Sequence, residues 1–179
     1  MIFLTVGSEL PFTRLVKAVD QWCGINKQQK VFAQIGPSGS DGYRPINFEW
    51  EEFVSPREYH QKYNQAELII AHAGMGSIIT ALEMSKPIFI RARLAALHEA
   101  RNDHQVATAN RFSERKGVIV ADDECAIVEI LDQWDNARET VEIDKVEPYA
   151  EERLIRTIRE FILSSLWYYK YCWLRLLNC

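Results

Sequence analysis

Short apolar runs alternate with amphipathic stretches along most of the chain. The apolar runs have the length of buried strands and fall at residues 2–6, 30–35, 46–50, 67–71, 87–90 and 118–121. Between them, apolar residues recur at helical spacing over residues 12–22, 55–64, 77–84, 103–116 and 123–134. Because the strands are continuously apolar and alternate with helices, the sequence predicts an α/β fold whose parallel sheet is covered on both faces.

The tail has a different pattern. From Glu151 a helical pattern continues to the end, and its last nineteen residues include six aromatics. A membrane-spanning helix needs about 20 mostly apolar residues, and Lys170 and Arg175 interrupt this one, so we expect it not to span. Aromatic residues beside basic ones favour a membrane interface or an apolar groove on a partner. Packing against its own domain is the alternative.

These patterns predict two parts, a binding domain over residues 1–135 and a C-terminal helical extension over residues 136–179 for partner or membrane contact. The length of 179 residues suits one α/β core. A net charge of −4 without a long basic run argues against nucleic acid as a partner.

The four cysteines and the amino terminus bear on the cellular compartment. Cys23, Cys125, Cys172 and Cys179 form no C-x-x-C pair and have no zinc-like spacing, so we interpret them as reduced thiols. The amino-terminal segment lacks a charged region before its apolar run and turns polar after six residues, which predicts a first strand rather than a signal peptide. A cytoplasmic location is expected.

Glycines follow several predicted strands. Gly7 and Ser8 follow the first strand, residues 36–39 the second, and residues 72–77 the fourth. Open α/β sheets bind ligands at this edge. Gly74 and Gly76 would let backbone approach a ligand closely, and the N–H groups at the start of the next helix suit a diphosphate. The alternative is a tight turn without a ligand.

The order of these glycines excludes two common nucleotide sites. The chain has no G-x-x-x-x-G-K-[ST] motif, which argues against a P-loop enzyme. Gly7 and Ser8 do not extend to G-x-G-x-x-G, which disfavours a classical NAD site.

A second polar cluster follows the fifth predicted strand. It contains the residues His98, Glu99, Asn102, Asp103, His104 and Gln105. Such groups suit hydrogen bonding to sugar and ribose hydroxyls. A solvated loop that caps the next helix through Asn102 or Asp103 is the alternative, and His72 and His104 could equally be structural. No paired-histidine motif predicts a metal.

The two motifs together resemble a known family. His72-Ala-Gly-Met-Gly-Ser77-Ile, then Ala81-Leu-Glu, Lys86-Pro87 and Asn102-Asp-His-Gln105 resemble the carboxy-terminal domain of family 28 glycosyltransferases, over roughly residues 1–135. The closest likeness is to small subunits of bacterial exopolysaccharide and capsule synthesis and to the catalytic subunit of the eukaryotic dolichol-linked N-acetylglucosamine transferase.

The resemblance implies a Rossmann-like domain that forms half of a GT-B enzyme. Such an enzyme is inverting, uses a UDP-sugar as substrate without a cofactor or bound metal, and acts on a polyprenyl-diphosphate-linked glycan. Donor binding would fall to Gly7, Ser8, His72, Gly74, Met75, Gly76, Ser77, Glu99, Asn102, Asp103 and Gln105. Thr80 departs from the family, where an acidic residue often binds the ribose, and Glu83 or Glu99 could substitute.

A complete GT-B enzyme has two such domains, so we expect a membrane-anchored partner subunit to supply the acceptor half. His98, Glu99 and His104 are candidates for the general base by chemical type, although we expect the partner to provide it. The alternatives are a non-catalytic UDP-sugar-binding or stabilising subunit, a sugar-nucleotide epimerase, and a Rossmann-like interaction module without a ligand.

Overall fold

The computed structural model describes residues 1–37, 42–147 and 149–176, and within these ranges it leaves out the side chains of residues 135 and 165–176. Ser38 and Gly39 of the second predicted loop, and the aromatic side chains from Trp167 onward, therefore lie outside what is described.

Six strands form the sheet: β1 (Ile2–Thr5), β2 (Val31–Gln34), β3 (Glu49–Glu51), β4 (Leu68–His72), β5 (Ile88–Arg91) and β6 (Val118–Val120). The helices are α1 (Thr13–Ile25), α2 (Pro56–Gln65), α3 (Met75–Glu83), α4 (His104–Phe112), α5 (Glu124–Ala137) and α6 (Glu152–Leu176), with a short 3₁₀ turn at Ala95–Leu97.

All neighbouring strands pair in parallel, in the order β3-β2-β1-β4-β5-β6. Ile2 of β1 lies opposite both Val31 and Leu68. From β1 the chain first adds strands on one side and then, at β4, on the other, so β1 and β4 flank the switch point where open α/β sheets bind ligands. The predicted parallel α/β fold is confirmed.

Alternate residues along the strands belong to two apolar clusters, one on each face of the sheet. Leu4 belongs to the cluster that includes Val19 of α1 and Leu131 of α5. Phe3 belongs to the opposite cluster, with Tyr63 of α2 and Leu82 of α3. Burial on both faces explains why the central strands read as continuous apolar runs.

The third predicted strand, residues 46–50, is shifted in the structure. β3 begins only at Glu49, because Ile46 is 86% exposed and its N–H donates to the buried carboxylate of Asp20 instead of to a strand. Asp20 also accepts from the N–H of Asn47 and from the hydroxyl of Tyr43. The segment before this edge strand is thus held by α1.

Several helix boundaries also differ from the prediction, among them the start of α3 and the end of α4. α3 begins at Met75 rather than at residue 77, with Gly74 as its extended N-cap. α4 ends at Phe112, although its pattern was expected to continue to residue 116. The chain leaves α4 for β6 through Gly117, whose φ of +89° a residue with a side chain rarely adopts.

The chain divides into two compact units, Met1–Val146 and Glu147–Cys179. The predicted division fell at residue 135. The first unit extends further because Val141, Ile143 and Val146 pack against the apolar clusters of the sheet.

The second unit contains α6, which begins with Glu152 and carries exposed apolar residues at helical spacing. Leu154, Ile158, Phe161 and Ile162 are each about half exposed or more, at positions i, i+4, i+7 and i+8 of one face. Within the part of the chain described, no helix is long and apolar enough to cross a membrane.

Candidate functional site

A cavity of about 700 Å³ opens at the carboxyl edge of the sheet. Its walls are the loop after β1, the end of β4 and the chain that follows β5. Seven predicted site residues line it: Gly7, Ser8, His72, Glu99, Asn102, His104 and Gln105. The loops after strands on both sides of the switch point therefore meet, as the sequence predicted.

Other predicted residues lie away from this wall. The cavity lining contains neither His98 nor Asp103. His98 is exposed and holds a left-handed conformation with φ of 56° at the end of the 3₁₀ turn. Gly74, Met75, Gly76 and Ser77 form the entry to α3, next to His72 but not in the lining itself.

The imidazole of His72 fills the space left by two glycines. A Cβ on Gly7 would lie 3.0 Å from its Cε1, and a Cβ on Gly74 would lie 2.2 Å from its Nε2. Gly7 also has a φ of +78°. Both glycines are thus required by the histidine, a role that the sequence motif alone did not reveal.

His72 is held in its neutral form. Burial, together with the positive charge of Arg93, lowers the pKa of His72 to about 4; the backbone of Thr5 opposes the shift, and His104 adds to it. Among the described residues, no group makes a well-formed hydrogen bond to its buried Nδ1. At neutral pH the ring therefore adds no charge to the site.

The start of α3 is open to solvent. Met75 is 48% exposed, and a Cβ on Gly76 would meet no atom within 4 Å. The N–H groups of the first helical turn have no acceptor within the helix. Below them, Ser77 is buried and its carbonyl accepts from the hydroxyl of Tyr63 at 3.1 Å. A helix terminus whose first N–H groups have no acceptor within the helix thus lies next to His72, which lines the cavity.

Arg93 lines the cavity, although sequence reasoning did not predict it. Only 4% of it is exposed, and its guanidinium donates to main-chain carbonyls of the loop after β1 and of Glu99. Burial lowers the pKa of Arg93 to about 10, against the opposing influence of Glu99 and Glu9, so the side chain is cationic at neutral pH. The only signal for it in the sequence is a basic residue that follows an apolar strand.

Glu99 is engaged inside the protein. Its two carboxylate oxygens accept from Nε and Nη2 of Arg14, at 2.6 and 2.9 Å, and one also accepts from the N–H of Leu94. Arg14 in turn contacts Glu124. Burial opposes the charge of Arg14, but the hydrogen bond and charge of Glu99 outweigh it and raise the pKa of Arg14. Glu99 therefore anchors the loop after β5.

The remaining polar residues organise the start of α4. Asn102 Oδ1 accepts from the N–H of His104 at 3.2 Å and lies 2.5 Å from its Nδ1. Asp103 accepts from the N–H of Ala95 and Gln105 from that of Arg93, at 2.9 and 3.2 Å. Asp103 is the N-cap residue of α4 but makes no side-chain capping bond; Asn102, one residue earlier, accepts from the first N–H of the helix and also lines the cavity. Within the described residues, no group of three potential ligands could hold a metal ion.

A parallel sheet with a polar cavity at its switch point defines the class of this domain: a Rossmann-like α/β unit equivalent to half of a GT-B glycosyltransferase. The model of the glycosyltransferase family 28 C-terminal domain matches residues 1–160, so the chain belongs to this family. The resemblance noted in the sequence is confirmed and extends past residue 135. No curated protein sequence matches the chain.

Solved structures with the same fold share little sequence with it. The solution structure of ALG13 is 20% identical, with a TM-score of 0.55 over 88% of this chain and 93% of that chain. UDP-GlcNAc 2-epimerase from Methanocaldococcus jannaschii, in complex with UDP-GlcNAc and UDP, is 14% identical, with a TM-score of 0.60 over 89% and 45% of the two chains. MurG from Acinetobacter baumannii is 17% identical, with a TM-score of 0.55 over 78% and 42%. The chain thus spans less than half of the two enzymes, although nearly all of ALG13.

Proposed function

We propose that this family 28 domain binds a UDP-sugar and, with a partner subunit, transfers the sugar to a polyprenyl-diphosphate-linked acceptor in exopolysaccharide or capsule synthesis. The observation that carries the proposal is the juxtaposition of the exposed N-terminus of α3 with a cavity that contains the buried cation Arg93. Both features favour a ligand with negative charge, such as a nucleoside diphosphate.

The same groups suit the chemistry of transfer. When an acceptor hydroxyl displaces the nucleotide, negative charge develops on the leaving diphosphate. The dipole of α3 and the charge of Arg93 stabilise that charge without a metal. Direct displacement inverts the anomeric carbon.

The general base comes from the partner in this proposal. Glu99 is engaged by Arg14, and His98 does not line the cavity. His104 lines the cavity and is exposed, but the ring lies against Asn102. An acceptor domain facing the cavity would bring its own base to the acceptor hydroxyl.

The partner is a membrane-anchored subunit that holds the acceptor. The domain corresponds to less than half of the epimerase and of MurG, and in this proposal the partner supplies the other part. The exposed apolar residues of α6 lie on a helix that also contains Arg153, Arg156 and Arg159. An amphipathic basic helix of this kind suits attachment at the inner face of the cytoplasmic membrane, directly or through the partner.

Calorimetric titration tests the donor half of this proposal. UDP and a series of UDP-sugars are titrated into the chain alone and into its complex with the protein encoded beside it, with CDP as the control nucleotide. We expect UDP to bind more tightly than CDP and one UDP-sugar to be preferred. Absence of UDP binding in both states would refute donor binding and favour an interaction module.

Transfer is tested on the complex. The purified pair receives the preferred UDP-sugar and a polyprenyl-diphosphate-linked glycan, with and without EDTA. We expect a product whose new linkage is inverted relative to the donor, formed at the same rate in EDTA. UDP-sugar binding without turnover by the complex would favour a non-catalytic subunit.

A further inference from the structure

The guanidinium of Arg93 spans two walls of the cavity. Nη2 donates to the carbonyls of Val6 and Leu10, at 2.7 and 2.6 Å, which lie on either side of the turn that contains Gly7 and Ser8. Nη1 donates to the carbonyl of Pro11 at 2.6 Å and to that of Glu99 at 3.3 Å. One side chain therefore joins the loop after β1 to the loop after β5.

Two further contacts fix Arg93 itself. Its guanidinium carbon lies 4.7 Å from the ring centroid of the buried Phe12, within the range of a cation–π contact. Its main-chain N–H donates to Gln105, which lines the same cavity. Phe12 thus contacts the guanidinium, and Gln105 holds the backbone from which the side chain extends.

The charge of Arg93 is satisfied by carbonyl dipoles rather than by a carboxylate. Among the described residues, no carboxylate oxygen of an aspartate or glutamate lies within 4.0 Å of its nitrogens. Glu9 and Glu99 also line the cavity and offset part of this charge from a distance, but positive potential remains at the guanidinium itself, which has no paired counter-ion. That potential favours an anion at the turn which the same guanidinium holds.

We propose that Arg93 is the positioning residue of the cavity: it holds the turn at Gly7 and Ser8 in the shape that receives the donor diphosphate, and it couples this turn to Glu99 and Gln105. The inference rests on the proposed UDP-sugar function. Lysine cannot replace this residue fully, because an ammonium group lacks the planar fork that reaches several carbonyls at once.

The test compares the affinities of UDP and uridine in three variants. Arg93→Met removes the guanidinium, Arg93→Lys keeps only a charge, and Arg115→Met makes the same chemical change at an exposed residue outside the cavity lining. We expect Arg93→Met to weaken UDP binding ~10-fold or more, as loss of charge-assisted hydrogen bonds does. The UDP affinity of Arg93→Lys should lie between those of Arg93→Met and the wild type, and the UDP affinity of Arg115→Met should equal that of the wild type.

Uridine separates positioning from general damage to the fold. Uridine lacks the diphosphate, so its affinity should change little in Arg93→Met, and the advantage of UDP over uridine should shrink. Equal losses for both ligands, or an unchanged UDP affinity in a folded variant, would overturn the inference. A wild-type chain that binds no UDP would instead refute the proposed function.

A measurement on the wild type covers the case in which the variants do not fold. Hydrogen bonds to carbonyls should slow rotation of the guanidinium enough to resolve its Nη–Hη signals in ¹⁵N-edited NMR spectra. UDP should shift these signals, and uridine should not. UDP binding that leaves them unchanged would overturn the inference.

Discussion

His72 occupies the space that a side chain on Gly74 would need, since a Cβ there would lie 2.2 Å from the Nε2 of the histidine. The same construction on Gly76 meets no atom within 4 Å. Two glycines that look equivalent in the motif therefore have different roles. Gly74 makes room for a neighbouring ring, and Gly76 leaves a helix terminus uncovered.

Gly74→Ala should destabilise the fold. The added methyl group forces His72 out of its site, a form of overpacking that costs about 1–3 kcal/mol. The free energy of unfolding in urea measures the loss. The double variant His72→Ala/Gly74→Ala should be less destabilised than the sum of its two single variants, because the clash is gone; simple additivity would contradict this account.

Gly76→Ala should leave the fold intact. Alanine is more favourable than glycine inside a helix by up to about 1 kcal/mol, so the free energy of unfolding should stay the same or rise. The methyl group would, however, stand where a diphosphate approaches the helix terminus, and the affinity for UDP should fall. Unchanged UDP affinity in this variant would argue against a ligand at this terminus.

The half-buried His72 should make stability depend on pH below neutrality. Its pKa is lowered from 6.5 to about 4, so between these values the unfolded chain binds a proton that the folded chain does not. Stability therefore falls as the pH drops through this window, by at most roughly 3 kcal/mol from this group. His72→Asn should show a smaller loss between pH 7 and 5. An NMR titration midpoint of His72 near 6.5 would disprove the explanation.

Arg14 and Glu99 should be energetically coupled. Their paired hydrogen bonds are half-buried, and removal of either partner leaves the other unsatisfied. A double-mutant cycle with Arg14→Met and Glu99→Gln should give a coupling energy of about 1–3 kcal/mol in the free energy of unfolding. A coupling near zero would free Glu99 for a direct role in binding or catalysis.

The apolar face of α6 should control attachment. Ile158→Glu/Ile162→Glu places two charges on this face, whereas Thr157→Glu/Ser164→Glu adds the same charge at exposed polar positions of the helix. In a flotation assay, only the first variant should lose binding to vesicles with anionic lipids. If α6 attaches through the partner subunit instead, only the first variant should lose binding to that subunit. Equal behaviour of both variants would exclude this face as the attachment surface.

The sequence predicted the structure well where buried residues recur at regular spacing. It predicted poorly the roles of residues whose contacts lie far away along the chain. Continuous apolar strands predicted the sheet, and glycines after strands predicted the edge that carries the cavity. β3 was misplaced because its edge position gives no continuous apolar run. The roles of Arg93 and Glu99 depend on contacts 82 and 85 residues distant, to Pro11 and Arg14, and no local pattern reports such pairs.

The guanidinium of Arg93 is held by hydrogen bonds to the main-chain oxygens of Val6, Leu10, Pro11 and Glu99. Side-chain identity at these positions therefore has little effect on these hydrogen bonds, whereas the path of the backbone is essential. Alanine at Ser8, Glu9 or Leu10 should therefore disturb these hydrogen bonds little, but insertion or deletion of a single residue would shift the acceptors out of reach. Between Gly7 and Pro11 the loop can accordingly vary in composition, but not in length.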